Sequence, residues 1–135
     1  MAIYGEQLTH NWSASVSFGS KQYYFAQLNT SNGDSVIVGT GGCNPYPIGV
    51  VQNSPCAGEE AEVCIFGISK VYYCCATAVN VGDFIRSSSV GQGEYAANAC
   101  AANAIALQAA GAGASATITA FILPPGTRAV ADQAY

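Results

Sequence analysis

The chain has 135 residues, one domain's worth with room for a single modest core. Charged side chains make up 9% of it and the net charge is −4, against about 25% charged residues in ordinary soluble domains. The permanent cations, Lys21, Lys70, Arg86 and Arg128, form no stripe that would neutralise a phosphate backbone, which argues against nucleic acid as a partner, and no apolar run approaches the ~18 residues of a membrane span.

A surface so poor in charge points to cover by other protein, because interface centres lose charge and gain aromatics, and the chain carries eight tyrosines. The N-terminus, Met1-Ala2-Ile3-Tyr4-Gly5-Glu6, has neither a cationic start nor an apolar block and does not read as a secretory signal. Residues 1–20 alternate polar and small residues around Trp12, Val16 and Phe18. They are expected as an extended arm, which either reaches a neighbouring subunit or serves as an ordinary first strand. Trp12, Phe18, Tyr23, Tyr72 and Tyr135 are the candidate interface residues.

From Lys21 to Leu28 the alternation of Tyr23 and Phe25 against Tyr24, Ala26 and Leu28 predicts a strand. Asn32-Gly33 predicts a tight hairpin turn, since both residues tolerate positive φ, and Ser35–Thr40 is its return strand. Pro47-Ile48-Gly49-Val50-Val51 and Ala61–Ile68 read as two further strands, too short and too rich in β-branched residues for core helices. The second is apolar at both parities, Val63 and Ile65 on one face and Cys64, Phe66 and Ile68 on the other, so both faces are expected to be covered.

In this central stretch the chain resembles the head decoration, or cement, proteins of tailed bacteriophages. The resemblance rests on Pro47-Ile48-Gly49-Val50, Gln52-Asn53, Gly58-Glu59, Val63, Gly67-Ile68-Ser69-Lys70-Val71 and Gly82-Asp83, and covers roughly residues 33–123. Its motifs are turn glycines and strand residues, with no chemical signature. It does not extend to the six cysteines or to the two terminal segments. It implies a small β-rich protein that sits as a homotrimer on the outer surface of a virion, at junctions between capsomers of the major capsid protein, made in the cytoplasm of a bacterial host. The structural residues it carries over are Pro47, Ile48, Gly49, Val50, Gly58, Gly67, Gly82 and Asp83.

Further along, Val71–Ala76 continues as strand, Gly82-Asp83 marks a turn, and Ser87-Ser88-Ser89 with Gly91 and Gly93 forms a loop. Residues 94–110 are alanine-rich, with Ala97, Cys100, Ala101, Ala104, Ile105 and Gln108 at three-to-four spacing, and predict one short helix. Ser115–Leu123 alternates as a final strand, and Pro124-Pro125-Gly126 ends the fold.

Site chemistry is sparse. His10 is the only histidine and lies in the arm, which removes most Cys-His and Ser-His-Asp schemes. Glu59, Glu60 and Glu62 read as a solvated acidic loop, and Asp34 and Asp83 as turn residues bonding their own backbone. Cys43, Cys56, Cys64, Cys74, Cys75 and Cys100 contain no C-x-x-C knuckle, so no metal or cofactor site is indicated. Two states stay open for them: disulfides, with Cys100 joined to Cys74 or Cys75, or reduced thiols packing as small hydrophobes.

The expectation is therefore a mainly β chain, a small barrel or tulip-like sandwich of about seven to nine strands with one helix. An arm over 1–20, a β domain over 21–123 and a tail over 124–135 are its parts. The function expected is structural, a capsid cement protein without enzymatic activity. The other reading is a cysteine-rich carbohydrate- or protein-binding module using Tyr23, Tyr24, Tyr72 or Tyr73 as platforms.

Overall fold

One strand carries the architecture of the computed structural model, which describes residues 7–41, 47–96, 101–125 and 127. This strand, β5 (Glu60–Cys74), runs for 15 residues and fuses two segments that the sequence shows as separate apolar runs. Around it lie β1 (Gln7–Ala14), β2 (Phe25–Leu28), β3 (Ser35–Val38), β4 (Pro47–Val51), β6 (Phe84–Ser87), β7 (Gly93–Tyr95), β8 (Ala104–Ala106) and β9 (Ser115–Ile122). All nine belong to one sheet, in the order β1-β3-β2-β4-β5-β7-β6-β8-β9, and both β1 and β9 return to pair with β5.

The pairing therefore runs in two circuits that share β5, instead of the single closed barrel expected. In one, β1 lies antiparallel to β5 from Gln7↔Gly67 to Ser13↔Glu60. In the other, β9 lies antiparallel to it from Gly67↔Ile122 to Cys74↔Ser115. Gly67 is the residue common to both registers, and its φ of 112° is a conformation that a side chain would resist. The strand bends sharply here. Gln52 donates its backbone N–H to Glu62 O, 2.7 Å, yet its side-chain amide reaches Ser69 Oγ at 2.8 Å. Seven residues of straight strand span about 23 Å, far beyond a glutamine side chain, so β5 must fold back between Glu62 and Ser69.

Each circuit has its own apolar filling. Ala14, Phe18, Ala26, Val36, Val51, Ala61 and Val63 pack together in the first. The larger cluster draws Val71, Tyr73, Ile85, Ile118 and Ile122 from the second circuit and adds Phe25, Val50 and Cys64. Phe18 is fully buried, so the interface role expected for it gives way to a core role. The segment expected as an arm is, from Gln7 to Ala14, a strand bonded to both β3 and β5. The remainder of the tail expected over 124–135, with Tyr135, lies outside the described residues apart from Pro124, Pro125 and Thr127.

The helix expected over 94–110 is not formed among the described residues, where 97–100 are not included. Glu94 and Tyr95 belong to β7, and Ala104–Ala106 to β8, which pairs with β6 and β9. Alanine's preference for helix is a weak bias that tertiary pairing overrides. Here the small side chains of Ala102, Ala104 and Ala106 are all buried. Buried Asn103 accepts the Ser87 N–H with its Oδ1, 2.9 Å, tying this segment to the end of β6.

Two local expectations shift by a few residues. The β2–β3 connection is wider than an Asn32-Gly33 turn, with Asn29 N–H donating to Ser35 O at 2.9 Å and the positive φ carried by Asp34 at 65°. The strand expected from Lys21 starts only at Phe25, because Tyr23 takes a φ of 69° and breaks the extended run. The turn at Gly82-Asp83 is as read: Gly82 has φ 93°, and Asp83 Oδ2 accepts the Asn80 N–H at 2.9 Å.

Candidate docking face

The antiparallel register of β1 on β5 sets Leu8 opposite Phe66 and Trp12 opposite Ala61. A bulge between Leu8 and Thr9 shifts the alternation there, so Leu8 and Trp12 both reach the same concavity. Phe66 lies at an even position of β5, whose odd positions are the buried ones. It remains 44% exposed and Leu8 58% exposed, so the cover expected on both faces of this strand is missing at Phe66. The ring of Phe121, on β9, meets Phe66 edge-on at 5.2 Å and 85°, which holds the exposed ring in place.

Together with Ile48, Ile65, Pro124 and Pro125 these side chains line a groove of about 420 Å³ that contains no charged residue. His10 packs edge-on against Trp12, centroids 4.4 Å apart, at the rim. Such a surface has no catalytic chemistry to offer. What it offers is apolar area whose removal from water is favourable at about 25 cal/mol per Å². Contiguous apolar surface of this sort on a folded chain marks a place where another molecule seats.

Of the expected interface residues, Trp12 is in this groove. Tyr23 lines a different, polar notch. Tyr72 lies stacked on Tyr24, centroids 5.3 Å apart and 8° between planes, half-buried and on neither surface. Sequence reasoning missed Leu8, Phe66, Phe121 and the two prolines as a group. The available signal was the phase of Phe66, apolar at a parity that the rest of β5 gives to Glu60, Glu62 and Lys70.

The motif residues are structural. Ile48 and Gly49 lie in β4, where a β-carbon on Gly49 would overlap the carbonyl oxygen of Cys64 on the neighbouring strand. Gly58, with φ 88°, turns the chain into β5. The four described cysteines, exposed Cys56, buried Cys64 and half-buried Cys74 and Cys75, are free thiols, while Cys43 and Cys100 lie outside the described residues. A bond from Cys74 or Cys75 to Cys100 is thus absent from the first two.

Burial pushes the Cys64 thiol up, a shift only partly offset by its hydrogen bond to Phe66 O. Burial acts the same way on Cys75, but hydrogen bonds from the Tyr95 and Thr77 backbone and the Tyr73 and Thr77 side chains outweigh it and hold that thiol below its ordinary value. Tyr73 is pushed well above the usual phenol range, first by burial and then by the adjoining Cys75 thiol. Its hydroxyl donates to Thr77 O at 2.6 Å.

No family model matches the sequence, and comparison with curated proteins gives no match. Among solved structures, the fold is similar to that of the N base of the head fiber gp8.5 of bacteriophage phi29, with a TM-score of 0.62 over 88% of this chain and 96% of that one, at 14% identity.

Proposed function

We propose that this chain is a structural protein of a bacteriophage head, a decoration protein that binds the outer capsid surface through the apolar face of β1, β5 and Pro124-Pro125. The observation that carries this reading is the likeness of nearly the whole chain to the base of a phage head fiber. The sequence resemblance to head decoration proteins, over residues that prove to be turn glycines and strand positions, supports it independently. The charge content of 9% suits a surface largely covered in an assembly.

On this reading the partner is the major capsid protein, the assembly is a homotrimer, and the protein works by adding buried area across subunit boundaries. Each contact is modest, and three-fold linkage multiplies its effect. Neither catalysis nor a cofactor is required, and a net charge of −4 gives no attraction to packaged nucleic acid.

The test is co-sedimentation of the purified protein with heads stripped of it, compared with the Leu8→Ser and Phe66→Ser variants, together with light scattering of the free protein. Binding by the parent chain and its loss in both variants supports the reading. A parent chain that stays in the supernatant and is absent from purified virions overturns it.

A further inference from the structure

Gln7 and Leu8 are successive residues of β1 and point to opposite sides of it, so the side chain of Gln7 faces away from the apolar groove. There, at the bend of β5, Gln7, Tyr23, Gln52 and Lys70 line a polar notch with a cavity volume of about 230 Å³. Tyr23 is held in the left-handed region at φ 69°, where a bulky side chain is rarely found. The surrounding strands impose this conformation: its N–H donates to Val51 O at 2.8 Å and its carbonyl accepts the Tyr72 N–H at 3.0 Å. Strain that the framework enforces in this way gathers at ligand sites.

The hydrogen-bond inventory decides what chemistry fits. Gln52 Nε2 donates to Val50 O at 3.0 Å and to Ser69 Oγ at 2.8 Å. Gln7 Nε2 donates to Ile68 O at 2.8 Å and, at 3.5 Å, to Gln52 Oε1. The amide N–H groups are thus spent on the protein, and the capacity the two glutamines have left is that of carbonyl acceptors. A phosphate or sulfate brings only acceptors and would face these oxygens with nothing to give. A polyol brings hydroxyl donors for them and acceptors for the Lys70 ammonium, while the Tyr23 ring offers an apolar face to C–H groups.

We propose that this notch binds one ring of a neutral saccharide, a role separate from the capsid-docking reading and independent of it. The volume holds a single pyranose, and the affinity expected is a dissociation constant on the order of millimolar, as befits a ligand of about a dozen non-hydrogen atoms.

The experiment is a titration of ¹⁵N-labelled protein with methyl glycosides of glucose, galactose and mannose, and separately with inorganic sulfate, following the side-chain amide resonances of Gln7 and Gln52. Those of Gln92, which donates to Tyr24 Oη at 3.1 Å, serve as the internal reference. Saturable shifts of Gln7 and Gln52 with at least one glycoside are expected, with Gln92 unmoved. Lys70→Met, a change at an exposed ammonium, should weaken binding several-fold. Tyr23→Gly, which suits the backbone but removes the ring, should abolish it. Three outcomes overturn the proposal: resonances unmoved at about ten times the expected dissociation constant, an undiminished response in both variants, or a response to sulfate alone.

Discussion

Gly49 lies so close to the carbonyl of Cys64 that a single added carbon has no place to go. Both neighbours of the missing side chain, the Cys64 backbone and Val63 Cγ1 at 2.8 Å, belong to β5 and are buried. The contact lets β4 cross β5 just before the bend. It explains in packing terms why a glycine interrupts an otherwise β-branched run.

Gly49→Ala should therefore destabilise the fold by about 1–3 kcal/mol, the usual cost of overpacking a filled site. Gly111→Ala is the matched control, since a β-carbon there meets nothing within 4 Å. It should be neutral or stabilise by about 0.4–1 kcal/mol through the unfolded chain. Urea unfolding with an unchanged slope is the measurement that separates the two.

Leu8→Ser removes an apolar side chain that is 58% exposed, so the urea midpoint should move by no more than about 0.5 kcal/mol. Binding of an environment-sensitive hydrophobic dye should fall in the same variant. A large stability loss would mean that Leu8 is core and the groove is filled by the chain itself.

Alkaline stability should be set by Tyr73 and Cys64. Both are raised in the folded state, from ordinary values of 10.0 and 9.0. Their contribution is complete below those values and is lost as the pH rises above them, because the unfolded chain then releases protons that the folded chain retains. Cys75, whose folded value is lowered, acts with the opposite sign, stabilising as the pH rises towards 9.0. Unfolding free energies from about pH 8 to about pH 11 should fall with pH, and the slope should flatten in Tyr73→Phe.

Thiol alkylation of the native protein should follow burial. Exposed Cys56 is expected to react first, half-buried Cys74 and Cys75 later, and buried Cys64 only on unfolding. Peptide mass analysis without reductant reads the order directly. Cys56 or Cys64 recovered in a disulfide would contradict the free-thiol arrangement.

Arg86 and Glu94 face each other across β6 and β7, with Nε 2.7 Å from Oε2 and each side chain about a quarter exposed at 22% and 24%. Partial exposure limits the worth of this pair. Glu94→Gln should cost about 0.5–1 kcal/mol and reduce the dependence of stability on salt. Thermal melts at low and high ionic strength provide the check.

Much of the strand content was legible because alternation is a local property. Val71–Cys74 and Ser115–Ile122 alternate inward and outward residues in the sequence as they do in β5 and β9. The turn at Gly82-Asp83 was legible for a similar reason, since glycine and aspartate encode its conformation on the spot. The alanine-rich segment was misread because its helical spacing is equally satisfied by small residues packed between β6 and β9, and only those neighbours distinguish the two. Tyr23's left-handed backbone left no trace, since no local preference favours it.

By itself the sequence determined a β chain with little charge, few titratable groups and glycines at its turns, because composition and period-two patterning act residue by residue. Only the tertiary structure decided that two apolar runs form one bent strand, that Phe18 is core, and that Leu8 meets Phe66 to open a groove. Those outcomes depend on registers between β1, β5 and β9, contacts between residues more than fifty positions apart, and no short-range preference encodes them.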